Sequence, residues 1–160
     1  KMDLNIVSIG RLKNNPLLEI QSDYKKRIIK LGKTIGINNL KINEGSVSKK
    51  NSPTDRREEE SKYLEKNLKK DNYNIFLDKA GGSISSIEIA ELLSNKLLDY
   101  KEMVFFIGGP DGFKRNLIEK SNQSISLGKV TWPHMLLRVM LVEQLYRGIT
   151  IIKNHPYHRN

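Results

Sequence analysis

At 160 residues and 18.4 kDa the chain has the size of one domain, and 38% apolar with 29% charged residues suits one buried core. Cysteine is absent, which excludes disulfides, thiolate zinc sites and cysteine nucleophiles. The net charge is +10, and residues 1–70 hold 17 basic side chains against 9 acidic, an imbalance that fits a polyanionic partner and equally a set of solvated lysines.

Leu4 to Ile9 reads as a strand ended by Gly10. Asn14-Asn15-Pro16 then opens a helix over 16–31, with Leu17, Ile20, Tyr24, Ile28 and Leu31 at helical spacing. A strand is expected over Asn39 to Asn43, a mobile basic loop over 44–54, and a helix over 55–70 carrying Tyr63, Leu64 and Leu68. Asn74 to Leu77 reads as a short strand closed by Asp78-Lys79-Ala80-Gly81-Gly82. Ser85 and Glu88 form a capping-box pair for a helix through Asp99, with Ile87, Ala90, Leu93 and Leu97 on its buried face.

Met103 to Ile107 lacks any polar interruption, as a strand covered on both faces should, and is far short of the ~18 residues of a membrane span. A helix from Phe113 to about Ser121, a strand over Ser124 to Leu127 and a helix opened by Pro133 follow, with Ile149 to Ile152 as a last strand. Strands alternating with helices predict an α/β fold with a largely parallel sheet, in one domain over 1–160. The first fifteen residues form no signal-peptide core, so a cytoplasmic location is expected.

Ligands of open α/β sheets gather at the carboxyl ends of strands. Three such ends are unusual here: Leu77-Asp78, the loop Gly108-Gly109-Pro110-Asp111-Gly112, and Leu127-Gly128-Lys129-Val130-Thr131-Trp132-Pro133-His134. The glycine spacings match neither a Walker loop nor a dinucleotide fingerprint. Each segment is open to a tight-turn reading as well as a ligand reading. The tail His155-Pro156-Tyr157-His158-Arg159 offers imidazole, phenol and guanidinium groups suited to RNA, or is a frayed polar terminus. Two histidines without cysteine and without His-x-x-x-His spacing predict no metal site.

Taken in order, these segments, with Arg138-Val139 and Glu143-Gln144-Leu145-Tyr146-Arg147, resemble the RlmH family of SPOUT-class methyltransferases over nearly the whole chain. The resemblance implies a parallel sheet flanked by helices with a C-terminal trefoil knot, which pattern reading would not produce because threaded chains are nearly absent among folds. It implies methyl transfer from S-adenosylmethionine to N3 of a pseudouridine in helix 69 of 23S rRNA, in the assembled ribosome, by a homodimer. Carried over residue by residue, Leu77, Gly108, Leu127, Gly128, Lys129, Val130, Thr131 and Trp132 would line the cofactor site, with Gly109 adjacent. His155, Tyr157 and His158 would be candidates for proton handling and Arg159 for phosphate or a developing anion, while His134 would be structural. Gly148 stands where the family commonly has alanine. The helix from Pro133 is expected to share in the dimer interface. Deleting residues 157–160 is expected to leave stability nearly unchanged while removing methyl transfer. The rival classes are a SPOUT enzyme with another RNA target and a non-catalytic ribosome-binding factor.

Overall fold

Strand β1 (Met2–Ile9) runs through the interior of a five-stranded sheet, with Leu4, Ile6, Val7 and Ile9 fully buried. In the computed structural model, which describes residues 1–159, the chain continues as α1 (Pro16–Gly32), a 3-10 turn, β2 (Ile37–Gly45), α2 (Pro53–Lys66), β3 (Tyr73–Ser83) and α3 (Ser86–Lys96). It ends with β4 (Glu102–Ile107), α4 (Arg115–Glu119), β5 (Gln123–Ser126) and α5 (His134–Ile152). The order is β2-β1-β4-β3-β5 and every pairing is parallel, so all carboxyl ends share one edge.

Side chains alternate across the pleat. Met103, Phe105 and Ile107 of β4 join α1, α3 and α5 on one face; Val104 and Phe106 join Leu64 of α2 and Leu117 of α4 on the other. This double cover explains the unbroken apolar run of β4. Local signals start the helices: Asn15 Oδ1 accepts from the Leu17 amide at 2.9 Å, Ser52 Oγ from the Asp55 amide at 3.1 Å, and Ser85 with Glu88 closes the expected capping box.

Four expectations are corrected. Ile149 to Ile152 is no strand but the last turn of α5, whose Ile149 and Ile152 join the core cluster that also holds residues of α1 and α3. Ile20 and Ile87, expected inside, are 45% and 47% exposed; Gln21, and Ile89 with Ala90, take the inner faces of their helices. The 44–54 segment is pinned: β2 extends to Gly45, the buried Ser48 donates its amide to Glu60, and Arg56 holds the carbonyls of Lys50 and Asn51. β3 reaches Ser83 through a register shift in which Leu77 and Gly82 both pair with Ile125, so residues 78–81 leave the ladder at the carboxyl edge.

Candidate functional site

The carboxyl ends of β3, β4 and β5 enclose a cleft. One lobe, of about 130 Å³, is lined by Leu77, Asp78, Lys79, Ser126, Leu127, Gly128, Val130, Thr131, Trp132 and Leu137. A neighbouring lobe of about 410 Å³ shares Leu77, Thr131 and Trp132 and adds Gly108, Gly109, Phe113 and His134. Eight of the nine residues expected to line a cofactor site are thus brought together; Lys129 lies on the same segment but lines neither lobe.

The local chemistry explains the loop shapes. A Cβ on Gly108 would stand 3.2 Å from Phe113 Cε1 and 3.3 Å from the Gly112 carbonyl carbon, so glycine keeps this wall thin. Gly112, at φ +78, donates its amide to the Gly109 carbonyl and closes the turn. Beyond β5, Ser126 Oγ donates to the Gly128 carbonyl at 2.7 Å, the Trp132 indole to the Leu127 carbonyl, and Lys79 Nζ to Thr131 Oγ1. Among the described residues, no amide from 128 to 132 donates to another backbone carbonyl. An apolar cleft with thin glycine walls and uncommitted amides fits a flat ligand with polar edges.

At the start of α5, Arg138 is 0% exposed; it donates to Glu44 Oε2 at 2.5 Å and to the Gly10 carbonyl at 2.7 Å. Burial pushes the Glu44 carboxyl up, but the Leu12 amide and Arg138 outweigh it and hold the group below its ordinary range. His134 Nε2 is buried without a partner, and burial, then the Arg138 charge, depresses its pKa, so the imidazole is neutral at pH 7.

The tail lies elsewhere. Tyr157 packs edge-on against Tyr146, with ring centroids 4.8 Å apart, and its hydroxyl lies 3.0 Å from that of Tyr24 and donates to Glu143 at 3.1 Å. Burial, then these two neighbours, push its phenol pKa upward. Arg147 pairs with Glu143 and reaches His158 Nδ1 at 3.2 Å; the Tyr157 amide donates to His155 Nδ1; Arg159 is exposed. At 1.5 Å per residue, Glu143 and Arg147, which hold the tail, lie about 9 and 15 Å along α5 from Leu137 of the cleft. The expected catalytic tail and cofactor segments therefore form two separate clusters in one chain.

Sequence reasoning passed over Tyr24, which anchors the tail, Phe113 and Leu137 in the cleft, and Arg138 as a buried ion. Tyrosine on an otherwise aliphatic helical stripe was the available signal for the first; an arginine inside the apolar run of α5 was the signal for the last. Among the described residues no cluster of acidic and histidine side chains could hold a metal, and no helix is long and apolar enough to cross a membrane.

Residues 2–158 match the family described as "Predicted SPOUT methyltransferase". The chain is 38% identical to a ribosomal RNA large subunit methyltransferase H of Allorhizobium ampelinum, covering 99% of this chain and 100% of the relative. It is 36% and 35% identical to proteins of the same name from Agrobacterium fabrum and Rhizobium etli, each alignment covering 99% of both chains. A five-stranded parallel sheet flanked by helices, a cleft at its carboxyl edge and a match along the full fold lead to one assignment: this chain belongs to the SPOUT methyltransferase family.

Proposed function

We propose that this protein transfers a methyl group from S-adenosylmethionine to N3 of a pseudouridine in helix 69 of 23S rRNA, in the assembled ribosome of the cytoplasm. We infer further that it works as a homodimer in which the tail of one protomer completes the cleft of the other. One observation carries this reading: Tyr157 and His158 are held at Glu143 and Arg147, about 9 and 15 Å along α5 beyond Leu137 of the cleft, so the tail of one chain forms a cluster of its own that a second protomer can bring to a cleft. The names of the relatives support an rRNA substrate, and the basic surplus suits it.

The cleft residues fit the donor. Leu77, Leu127, Trp132 and Leu137 offer apolar walls, the amides of 128–132 offer donors for polar edges, and Gly108 and Gly109 permit close approach, in loops clasped by the proposed knot. The donor supplies an activated methyl on a sulfonium; the chain's task is alignment of the acceptor, which alone accounts for a large part of such accelerations. The tail bears on the acceptor. Arginine cannot accept a hydrogen bond, so His158 Nδ1 accepts from Arg147; His155 Nδ1 likewise accepts from the Tyr157 amide. With Nδ1 accepting, each of these imidazoles carries a proton on Nε2 and presents an N–H there. That polarity suits stabilising the negative charge that develops on the uracil ring as its N3 proton passes to solvent water. Arg159 adds a permanent cation.

The test is methylation of ribosomes that lack the modification, with mapping of the labelled nucleotide, using wild type and a one-to-one mixture of two inactive proteins, Gly108→Val and a chain lacking residues 158–160. Label at the helix 69 pseudouridine, with about a quarter of wild-type sites active in the re-equilibrated mixture, is expected from random pairing. Label at another nucleotide, or a silent mixture of proteins that do form dimers, would refute the reading.

A further inference from the structure

Helix α2 contributes no residue to the cleft, yet it is tied to the cleft loop at several points. Arg56 reaches Asp111 with two of its three guanidinium nitrogens: Nε donates to Oδ2 at 2.6 Å and Nη2 to Oδ1 at 3.2 Å. Its remaining arm holds the carbonyls of Lys50 and Asn51 at 3.0 and 3.2 Å. Arg57 Nη1 reaches the Asp111 carbonyl at 3.4 Å. One turn on, Glu60 is only 3% exposed; Oε2 accepts the Ser48 amide, while Oε1 has no partner and lies 2.8 Å from where a Cβ on Gly109 would be.

Such an arrangement is costly unless it fixes something. A buried carboxylate oxygen without a donor is unfavourable, and folding has placed it against a glycine. Asp111 is the fourth residue of Gly108-Gly109-Pro110-Asp111-Gly112, and Gly108, Gly109, Pro110 and Gly112 line the larger lobe. The fork from Arg56 fixes the far end of that loop, and the Glu60 carboxyl limits where Gly109 can move. The backbone bond from the Gly112 amide to the Gly109 carbonyl lies between these two supports.

We propose that Arg56, with Glu60 behind it, is a positioning residue for the methyl donor: through Asp111 it sets the shape of the Gly108–Gly112 loop against which the donor binds. The inference rests on the donor-cleft reading above. Its mechanical content is that the effect of Arg56 on donor affinity passes through Asp111 alone.

The experiment measures S-adenosylmethionine affinity by calorimetry for wild type, Arg56→Ala, Asp111→Ala and the double variant. Ile28→Ala serves as control: it loosens the core on the other face of the sheet through α1, which lines neither lobe of the cleft. Each single variant is expected to raise Kd about tenfold, and the double variant no further, since both remove one interaction. Arg56→Lys keeps the charge but not the fork and falls between. Glu60→Ala is expected to raise Kd several-fold. The control loses melting temperature with Kd unchanged. Amide exchange at Gly112 is read in parallel and is expected to be at least tenfold faster in Arg56→Ala. Failure of wild type to bind the donor overturns the donor reading and not the loop mechanics. Unchanged exchange at Gly112, or additive effects on Kd, overturns the role of Arg56.

Discussion

The anchoring of Tyr157 predicts that the two ways of shortening the tail separate stability from activity. Deleting residues 157–160 removes an edge-on aromatic pair at 4.8 Å, worth about 0.5–1.5 kcal/mol. It also removes the hydroxyl's bonds to Glu143 and Tyr24, worth about 0.5–1.5 kcal/mol each when well formed. Tyr157 is only half-buried, so we discount the total to about 2.5 kcal/mol, which lowers the melting temperature of a domain this size by about 5–10 °C. Deleting residues 158–160 keeps all of these contacts and is expected to shift melting by less than about 2 °C. Both truncations should abolish methylation of ribosomes. Calorimetric melting and single-turnover methylation decide the matter on the same preparations. Identical melting of the two truncated chains would refute the packing argument, and full activity of the shorter deletion would refute any role for His158 and Arg159. The sequence had suggested a tail whose loss leaves stability nearly unchanged; the contacts of Tyr157 instead predict a measurable loss.

Gly108→Val is expected to weaken donor binding at least tenfold by calorimetry, because even its Cβ presses on Phe113 and the Gly112 backbone. Arg138→Met strands Glu44 and the Gly10 carbonyl; breaking a buried pair costs about 3–5 kcal/mol, reduced to about 2–3 because the Glu44 side chain is 27% exposed, and adding Glu44→Gln should recover part of it in urea unfolding. His134 titrates below its ordinary value of 6.5, so the stabilisation from its neutral form is present above pH 6.5 and is lost as pH falls through its lower folded value. His134→Asn should therefore flatten the stability profile just below pH 6.5, while the loss due to Glu44, also held low, persists below its ordinary 4.5.

How far the fold could be read depended on whether the deciding contacts were local. The unbroken run Met103 to Ile107 announced a doubly covered strand, and the Ser85–Glu88 spacing announced a helix start; both signals are complete within a few residues. Ile149 to Ile152 has the composition of a strand, and only tertiary contact makes it helical. A Cβ on Gly148 would lie 3.1 Å from Leu93 Cδ1 and 3.2 Å from Ile89 Cγ2, so its bare backbone lets α5 settle onto α3, overriding the β-branched preference of its neighbours. An alanine at this point would need those side chains to yield. The cleft was legible because each wall is a strand end followed by glycine. The docking of the tail was not, because Tyr24 stands 133 residues from Tyr157 along the chain.

The interior place of β1 has a consequence for the chain as it is made. One neighbour, β2, ends at Gly45 and can pair early; the other, β4, ends at Ile107, about sixty residues later. At about 5–20 residues per second of synthesis, β1 waits about 3–12 s with one edge unpaired. An apolar strand edge left open is a template for pairing with other chains. Nascent chains arrested between residues 45 and 100 should therefore be the species that chaperones hold, and release should coincide with emergence of β4.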